Sequence, residues 1–410
     1  MRITRLLLAL FLGTSASAET LPLTTVMARA LESAPAIGSG DAGVNGARAY
    51  VAQAGARPNP SIGVDVENFG GSNGLSGVRG AQVTVDVTQP FELGGKRGAR
   101  RALAQADVTI AEVDRDAARR AVMAEALDAY AQAAAALARL AIADEQLALA
   151  VTLAEQTARR LAVGDVPQIV ADRAEVERAN RLAARDRAAA DCDIAVRALA
   201  GIIAAPDAVL PTPAWLQTMA ALPALIRPAM EMLPDAARWQ AVQARADADF
   251  ANEKARRGLD PSVNFGVRQL RDIDSTALVA GVSLPLPFNS NNGGAIARAR
   301  SESIRAGYDV ETARRSLARS LDRIVADDGA ARSNLAVLQA TTLPAATRLL
   351  ALTQRGFTAG ALPWRDLADA LRAASDARLQ EITALESIAR NRARLLAITG
   401  DIGLAGLAAK

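Results

Sequence analysis

From Ala99 to Val163 the chain runs without a proline, and small or apolar residues return every seven positions at Ala133, Leu140, Leu147, Ala154 and Leu161. Ala136, Ala143 and Ala150 repeat the same step three places later. A strict seven-residue period is that of helices packed as coiled coils, and alanine in the seam lets them approach closely. At 1.5 Å per residue, about 60 helical residues extend roughly 90 Å. This is a rod, longer than a globular domain needs. Leu317, Ile324, Ala331, Leu338 and Ala345 step the same way in the second half, where Pro344 is expected to kink the helix. Each rod turns at a short break, Arg160 to Pro167 and Arg355 to Pro363. Glycine permits the reversal, and proline opens the returning helix.

Ahead of each rod stand two strand-like runs. Ile62, Val64 and Val66 alternate with Gly63, Asp65 and Glu67, and Val83, Val85 and Val87 with Gln82, Thr84, Asp86 and Thr88. In the second half Val263, Phe265 and Val267 oppose Asn264, Gly266 and Arg268, and Leu278, Ala280, Val282 and Leu284 complete the set. Alternation over about 8 to 10 residues suits a tilted strand crossing a bilayer. The polar stretches Gly70 to Gly80 and Arg271 to Thr276 read as turns. Asn59-Pro60-Ser61-Ile62 returns as Asp260-Pro261-Ser262-Val263, so the chain reads as two repeats. The expected division is a leader over 1–18, a first repeat over 19–205 with strands at about 61–69 and 81–88 and a helix hairpin over about 99–200, and a connector over 206–228. A second repeat follows over 229–400, with strands at about 262–270 and 277–284 and a hairpin over about 293–399, then a tail over 401–410. Four strands cannot close a barrel, since the smallest single-chain barrels use about eight. Oligomerisation follows.

The basic start Met1 to Arg5, the short apolar run Leu6 to Leu12 and Ala16-Ser17-Ala18 form a secretory signal, with cleavage expected after Ala18. Glu19 stands where a lipoprotein would carry cysteine, so a lipid anchor is not expected. No other segment offers 18 to 20 uninterrupted apolar residues, and a membrane crossing would use a closed barrel. With no histidine and the single Cys192, the chain lacks the residues of a tight zinc or copper centre and of an internal disulfide. Cys192 reads as a packing residue in an alanine-rich helix. A formal charge of +3, two units of which (Arg2, Arg5) leave with the signal, gives no electrostatic case for nucleic acid. No nucleophile elbow, general base or carboxylate pair appears, and an enzyme is not expected.

The order helix, strand, strand, long hairpin, repeated behind a signal, resembles the TolC family of outer-membrane channels. The likeness is carried by Arg57-Pro58-Asn59-Pro60, by Gln89-Pro90-Phe91-Glu92-Leu93-Gly94-Gly95-Lys96-Arg97, and by Leu284-Pro285-Leu286-Pro287-Phe288 followed by Asn291-Asn292-Gly293. These motifs are similar to those of the cobalt-zinc-cadmium and copper-silver efflux components. The resemblance implies a mainly α fold with a small β part, three copies sharing one twelve-stranded barrel and an α-helical tunnel through the periplasm. It further implies passive export of heavy-metal cations, driven by an inner-membrane RND pump reached through a periplasmic membrane-fusion (adaptor) protein. The expected partners are therefore two further copies, the adaptor, the pump and outer-membrane lipid, with no cofactor and no nucleic acid.

In this resemblance the hairpin tips, Gly164 to Pro167 and Gly360 to Pro363, close the tunnel and dock the adaptor. Asp366 and Asp369 lie three apart on one helix face near the closed end, where three copies would form two rings of carboxylates favouring cations. The first tip has Val170 and Asp172 instead. Arg355 or Arg365 is expected to tie the closed state between helices. Gly94 to Arg97 lacks the spacing of a phosphate loop and reads as a barrel-to-helix transition, with Lys96, Arg97, Arg100 and Arg101 at the barrel's edge. Met230 and Met232 read as packing residues. The competing readings are a periplasmic coiled-coil adaptor or structural protein, and a TolC-like channel for drugs or type I secretion. Two strand pairs, each ahead of a hairpin, favour the channel.

Overall fold

The computed structural model describes residues 21–73, 77–205, 211–286, 288 and 291–401. The signal with Ala18, the tail over 402–410 and the first connector residues, 206–210, lie outside them. The elements are α1 (Leu23–Ser33), α2 (Pro35–Ala54), β1 (Ser61–Glu67), β2 (Gln82–Pro90), α3 (Lys96–Ala162), α4 (Gln168–Ile202), α5 (Ala214–Ala221), α6 (Pro234–Ala255), β3 (Ser262–Leu270), β4 (Ser275–Ser283), α7 (Gly293–Val337), α8 (Leu343–Thr358) and α9 (Trp364–Thr399). The chain is mainly helical with one small sheet. The described residues form two compact units, and the division falls within α3 and α7: those of 35–118 with 228–320, and those of 21–34 with 119–227 and 321–401.

The first of these units holds the sheet, in the order β1-β2-β3-β4, antiparallel throughout. Its helical part buries small residues, among them Ala104, Val108, Ala241, Ala299 and Ala306. Around that thin seam the helices are laced by ion pairs: Arg48 to Glu112 at 2.6 Å, Arg245 to Asp107 at 2.7 Å and Arg238 to Asp114 at 2.8 Å. Exposed pairs of this kind contribute about 0 to 1 kcal/mol each, so they set register more than stability.

The other unit has the larger apolar core, with Leu127, Leu216, Met219, Leu385, Ile388 and Leu396 fully buried. Tyr130 meets Trp215 edge to face at 4.8 Å and donates its hydroxyl to the Leu21 carbonyl at 3.0 Å. Connector residues 211–227 lie in this unit and contain α5. Asp328, only 1% exposed, accepts the Leu225 amide at 3.0 Å and Arg332 Nε at 2.8 Å. Arg332 Nη1 reaches the Ala220 carbonyl at 2.9 Å, and Arg392 donates to the Pro223 carbonyl. Burial pushes the Arg392 guanidinium below its usual range, as Arg332 does to a lesser degree.

Two readings need correction. The stripe through Leu317, Ile324, Ala331 and Leu338 does not continue to Ala345, which is exposed; it resumes at Ala346 and Thr353. Residues Leu338–Thr342 form a π turn immediately before Pro344. Proline has no N–H to give the preceding turn, and the wider turn accommodates this by taking in one extra residue. Met232 is not a packing residue: it sits in a 3₁₀ turn with its side chain 85% exposed. Cys192 is buried, and that burial raises its thiol pKa. One helical span, 293–358, contains an 18-residue window of mean hydropathy 1.4, of which 17% is buried.

Candidate functional site

The candidate site residues fall in three places: the sheet, the strand-to-helix junction and the hairpin tips. In the sheet, Val64 pairs with Val85, Val85 with Val267, and Val267 with Leu278; the row Ile62, Val87, Phe265, Ala280 runs parallel to it. Every one of these side chains lies on the same face because the register keeps the parities aligned. Ile62, Phe265, Leu278 and Val282 are left exposed on it. The opposite face carries Asp65, Thr84, Asp86, Asn264 and Arg268, with Arg268 Nε on Thr84 Oγ1 at 2.9 Å and Arg268 on Glu67 at 3.3 Å. Gly63 and Gly266 flank Asp86, and a Cβ on Gly266 would stand 2.6 Å from the Val85 carbonyl oxygen. A sheet with one apolar exposed face and one polar face has the alternation a membrane barrel wall requires. Among the described residues β1 and β4 are its outer strands, each paired on one side only.

At the junction the chain leaves β2 through Gly94 and Gly95, at φ of +73° and +76°, a left-handed conformation that glycine adopts without strain. Gly258 lies against this turn, and a Cβ there would meet the Leu93 carbonyl at 3.0 Å. Lys96 pairs with Asp260 at 2.5 Å, and Arg100 with Glu92 and the Ala54 and Ala56 carbonyls. The glycine-lysine motif is therefore the strand-to-helix transition. Arg97 and Arg101 remain exposed. In the second repeat Asn292 donates to Glu253, and Arg256 pairs with it at 2.9 Å. These contacts, led by the Asn292 hydrogen bond, hold the Glu253 carboxyl below its usual range.

The tips share one geometry. Gly164 (φ +76°) donates to Leu161 and Asp165 to Arg160, while Gly360 (φ +73°) donates to Phe357 and Ala361 to Gly356. Each is a Schellman cap, which satisfies the last carbonyls of the outgoing helix. Pro167 and Pro363 then cap α4 and α9 from extended backbone. Beneath them Leu153, Ala174, Phe357, Trp364, Leu367 and Ala368 form a core, with Val170 packed against it.

The two aspartates of the sequence reading sit on the exposed face of α9, opposite buried Leu367, Ala368 and Ala370. Their surroundings differ. Asp369 is flanked by Arg372 at 3.3 Å and Arg365 at 4.0 Å. Asp366 lies in the first turn of α9, where the helix dipole favours a carboxylate. Arg365 thus pairs within its own helix, not between helices. The inter-hairpin tie is made by Arg160, which holds Asp165 at 2.5 Å and donates to the Phe357 carbonyl at 3.0 Å. Sequence reading missed Arg160, and the only local signal was its pairing distance to Asp165.

Comparison with known proteins agrees with this architecture. The family described as outer membrane efflux protein matches residues 26–205 and 232–401. The nickel and cobalt resistance protein CnrC of Cupriavidus metallidurans is 33% identical over 310 residues, covering 72% of this chain and 73% of that protein. The cobalt-zinc-cadmium resistance protein CzcC of the same organism is 27% identical over 343 residues, covering 82% and 79%. Among solved structures, the Campylobacter jejuni CmeC outer membrane channel superposes with a TM-score of 0.76 at 14% identity, over 97% of this chain and 93% of that one. Its likeness speaks for the fold, and the sequence matches speak for the family: the chain belongs to the outer membrane efflux proteins and resides in the outer membrane.

Proposed function

We propose that this chain is the outer-membrane channel of a tripartite RND-type efflux system that exports heavy-metal cations. The supporting observation is the four-stranded sheet, apolar on one face and unpaired along both outer strands. Three copies joined edge to edge give twelve strands, a number in the range of known barrels. The metal cargo is inferred from the relatives, whose names speak of nickel, cobalt, zinc and cadmium. The channel is a passive conduit, and an inner-membrane pump supplies the energy through an adaptor docked at the tips around Gly164, Pro167, Gly360 and Pro363.

Asp366 and Asp369 line the constriction in this reading, as two rings of three carboxylates. Asp366 carries most of the cation preference, because Arg365 and Arg372 offset the charge of Asp369. The test is planar-bilayer conductance of the purified oligomer. Cation over anion selectivity should fall in Asp366→Ala and fall less in Asp369→Ala. Unchanged selectivity in both variants removes the rings from the pore, and a monomeric mass in detergent removes the shared barrel.

A further inference from the structure

The apolar face of the sheet does not stop at the last strand residue. Phe91 extends it by one ladder position, its amide on the Pro261 carbonyl at 2.8 Å, and Leu93, Leu284 and Leu286 beyond the strands are exposed too. At this end the chain turns into the helices, so it is the periplasmic side of the membrane wall. Leu286 is shared with a cleft of about 320 Å³, whose other lining includes Lys96, Arg256, Arg257, Asp260 and Asn292.

The charges in the cleft are unevenly satisfied. Lys96, 8% exposed, is taken up by Asp260 Oδ2, and Arg256 by Glu253. Arg257 is exposed and makes no ion pair among the described residues. Asp260 Oδ1 is buried without a hydrogen-bond donor, although the side chain as a whole is 43% exposed. The cleft therefore holds an unpaired cation beside an apolar shelf, with an acceptor in want of a donor on Asp260 in its wall. Solvated rim cations alone would account for Arg257, but not for the orphaned carboxylate oxygen in the same lining.

We infer that this cleft binds the headgroup of an aminophospholipid from the inner leaflet of the outer membrane. Arg257 donates to the phosphate in a charge-assisted hydrogen bond. A small rotation of Asp260 presents its free oxygen to the ammonium, while the acyl chains lie along Leu286 and Phe91. A choline headgroup has no N–H and so supplies no donor to that oxygen, forgoing the hydrogen bond that an ammonium makes. The inference rests on the outer-membrane location and is independent of which cargo passes through the pore.

Native mass spectrometry of the full chain, released from detergent with added lipid, tests it. Phosphatidylethanolamine should be retained in preference to phosphatidylcholine. Retention should weaken roughly fivefold in Arg257→Ala, the change given by one cation at a membrane surface, and stay unchanged in Arg97→Ala, which alters an exposed arginine outside the cleft. Heat-modifiable migration reports that each variant has folded. Equal retention of the two lipids by the unaltered protein overturns the inference whatever the variants do. So does an unchanged Arg257→Ala, and free phosphoethanolamine binding as tightly as the lipid overturns the membrane source.

Discussion

Arg160 and Phe357, separated by 197 positions in the chain, meet twice: the guanidinium donates to the Phe357 carbonyl at 3.0 Å and lies 5.4 Å from the centre of its ring. The same side chain holds Asp165, so one residue links the two hairpin tips. Arg160→Ala should cost about 2 kcal/mol locally, the scale of a hydrogen bond to a charged group. Limited proteolysis at the tips should speed up and the resting conductance rise. Arg160→Lys retains the charge but not the two-sided reach of the guanidinium, and should fall between.

Buried and exposed ion pairs should respond very differently. Asp328→Ala leaves Arg332 and Arg392 without their carboxylate in a buried setting and should destabilise by about 3 to 5 kcal/mol. Arg227→Ala, which breaks the exposed pair with Asp322 at 3.0 Å, should change stability by about 0 to 1 kcal/mol. Thermal unfolding followed by circular dichroism compares the two.

Acid should loosen the strand-to-helix junction through Glu253. Its folded pKa is lowered, first by Asn292 and then by Arg256, against the opposing effect of burial. The contribution is complete above the unfolded range, near about 4.3, and is lost as pH falls through the lower folded value. Unfolding temperature measured from pH 7 downward should therefore drop on the acid side of that range, and Glu253→Gln should flatten the drop.

Two glycine replacements should have opposite signs. Gly266→Ala puts a Cβ within 2.6 Å of the Val85 carbonyl, where backbone has to move, and should destabilise by about 1 to 3 kcal/mol. Gly43→Ala meets nothing within 4 Å in the middle of α2 and should stabilise by about 0.5 to 1 kcal/mol. The temperature at which migration shifts on unheated and heated gels separates them.

What could be read from the sequence was local and periodic. The alternation of Ile62, Val64 and Val66 with Gly63, Asp65 and Glu67 fixes two faces without knowledge of the partner strand, and seven-residue steps such as Leu317 to Ile324 fix a seam. Gly164 and Gly360 were legible as turns because a left-handed residue needs glycine. Contacts between distant positions were not legible. Nothing near Arg160 points to Phe357, and the Asp328, Arg332 and Arg392 cluster exists only once the connector is folded against α7 and α9. Asp366 and Asp369 could be placed on one helix face from their spacing, but the flanking of Asp369 by arginines changes what each can contribute.

The π turn at Leu338–Thr342 has a consequence for heptad counting along the second rod. Each residue of an α-helix advances by about 100°, so a single extra residue would ordinarily swing everything downstream off the seam. Here the wide turn absorbs it, and the positions after Pro344 keep facing inward under a numbering shifted by one. The rod is thus two coiled-coil frames spliced at a proline. A one-residue deletion within the π turn should leave Thr353 and Phe357 facing inward on a plain helix, whereas the same deletion between Pro344 and Thr353 should swing both off the seam. The splice, not the number of residues, keeps the far tip in phase.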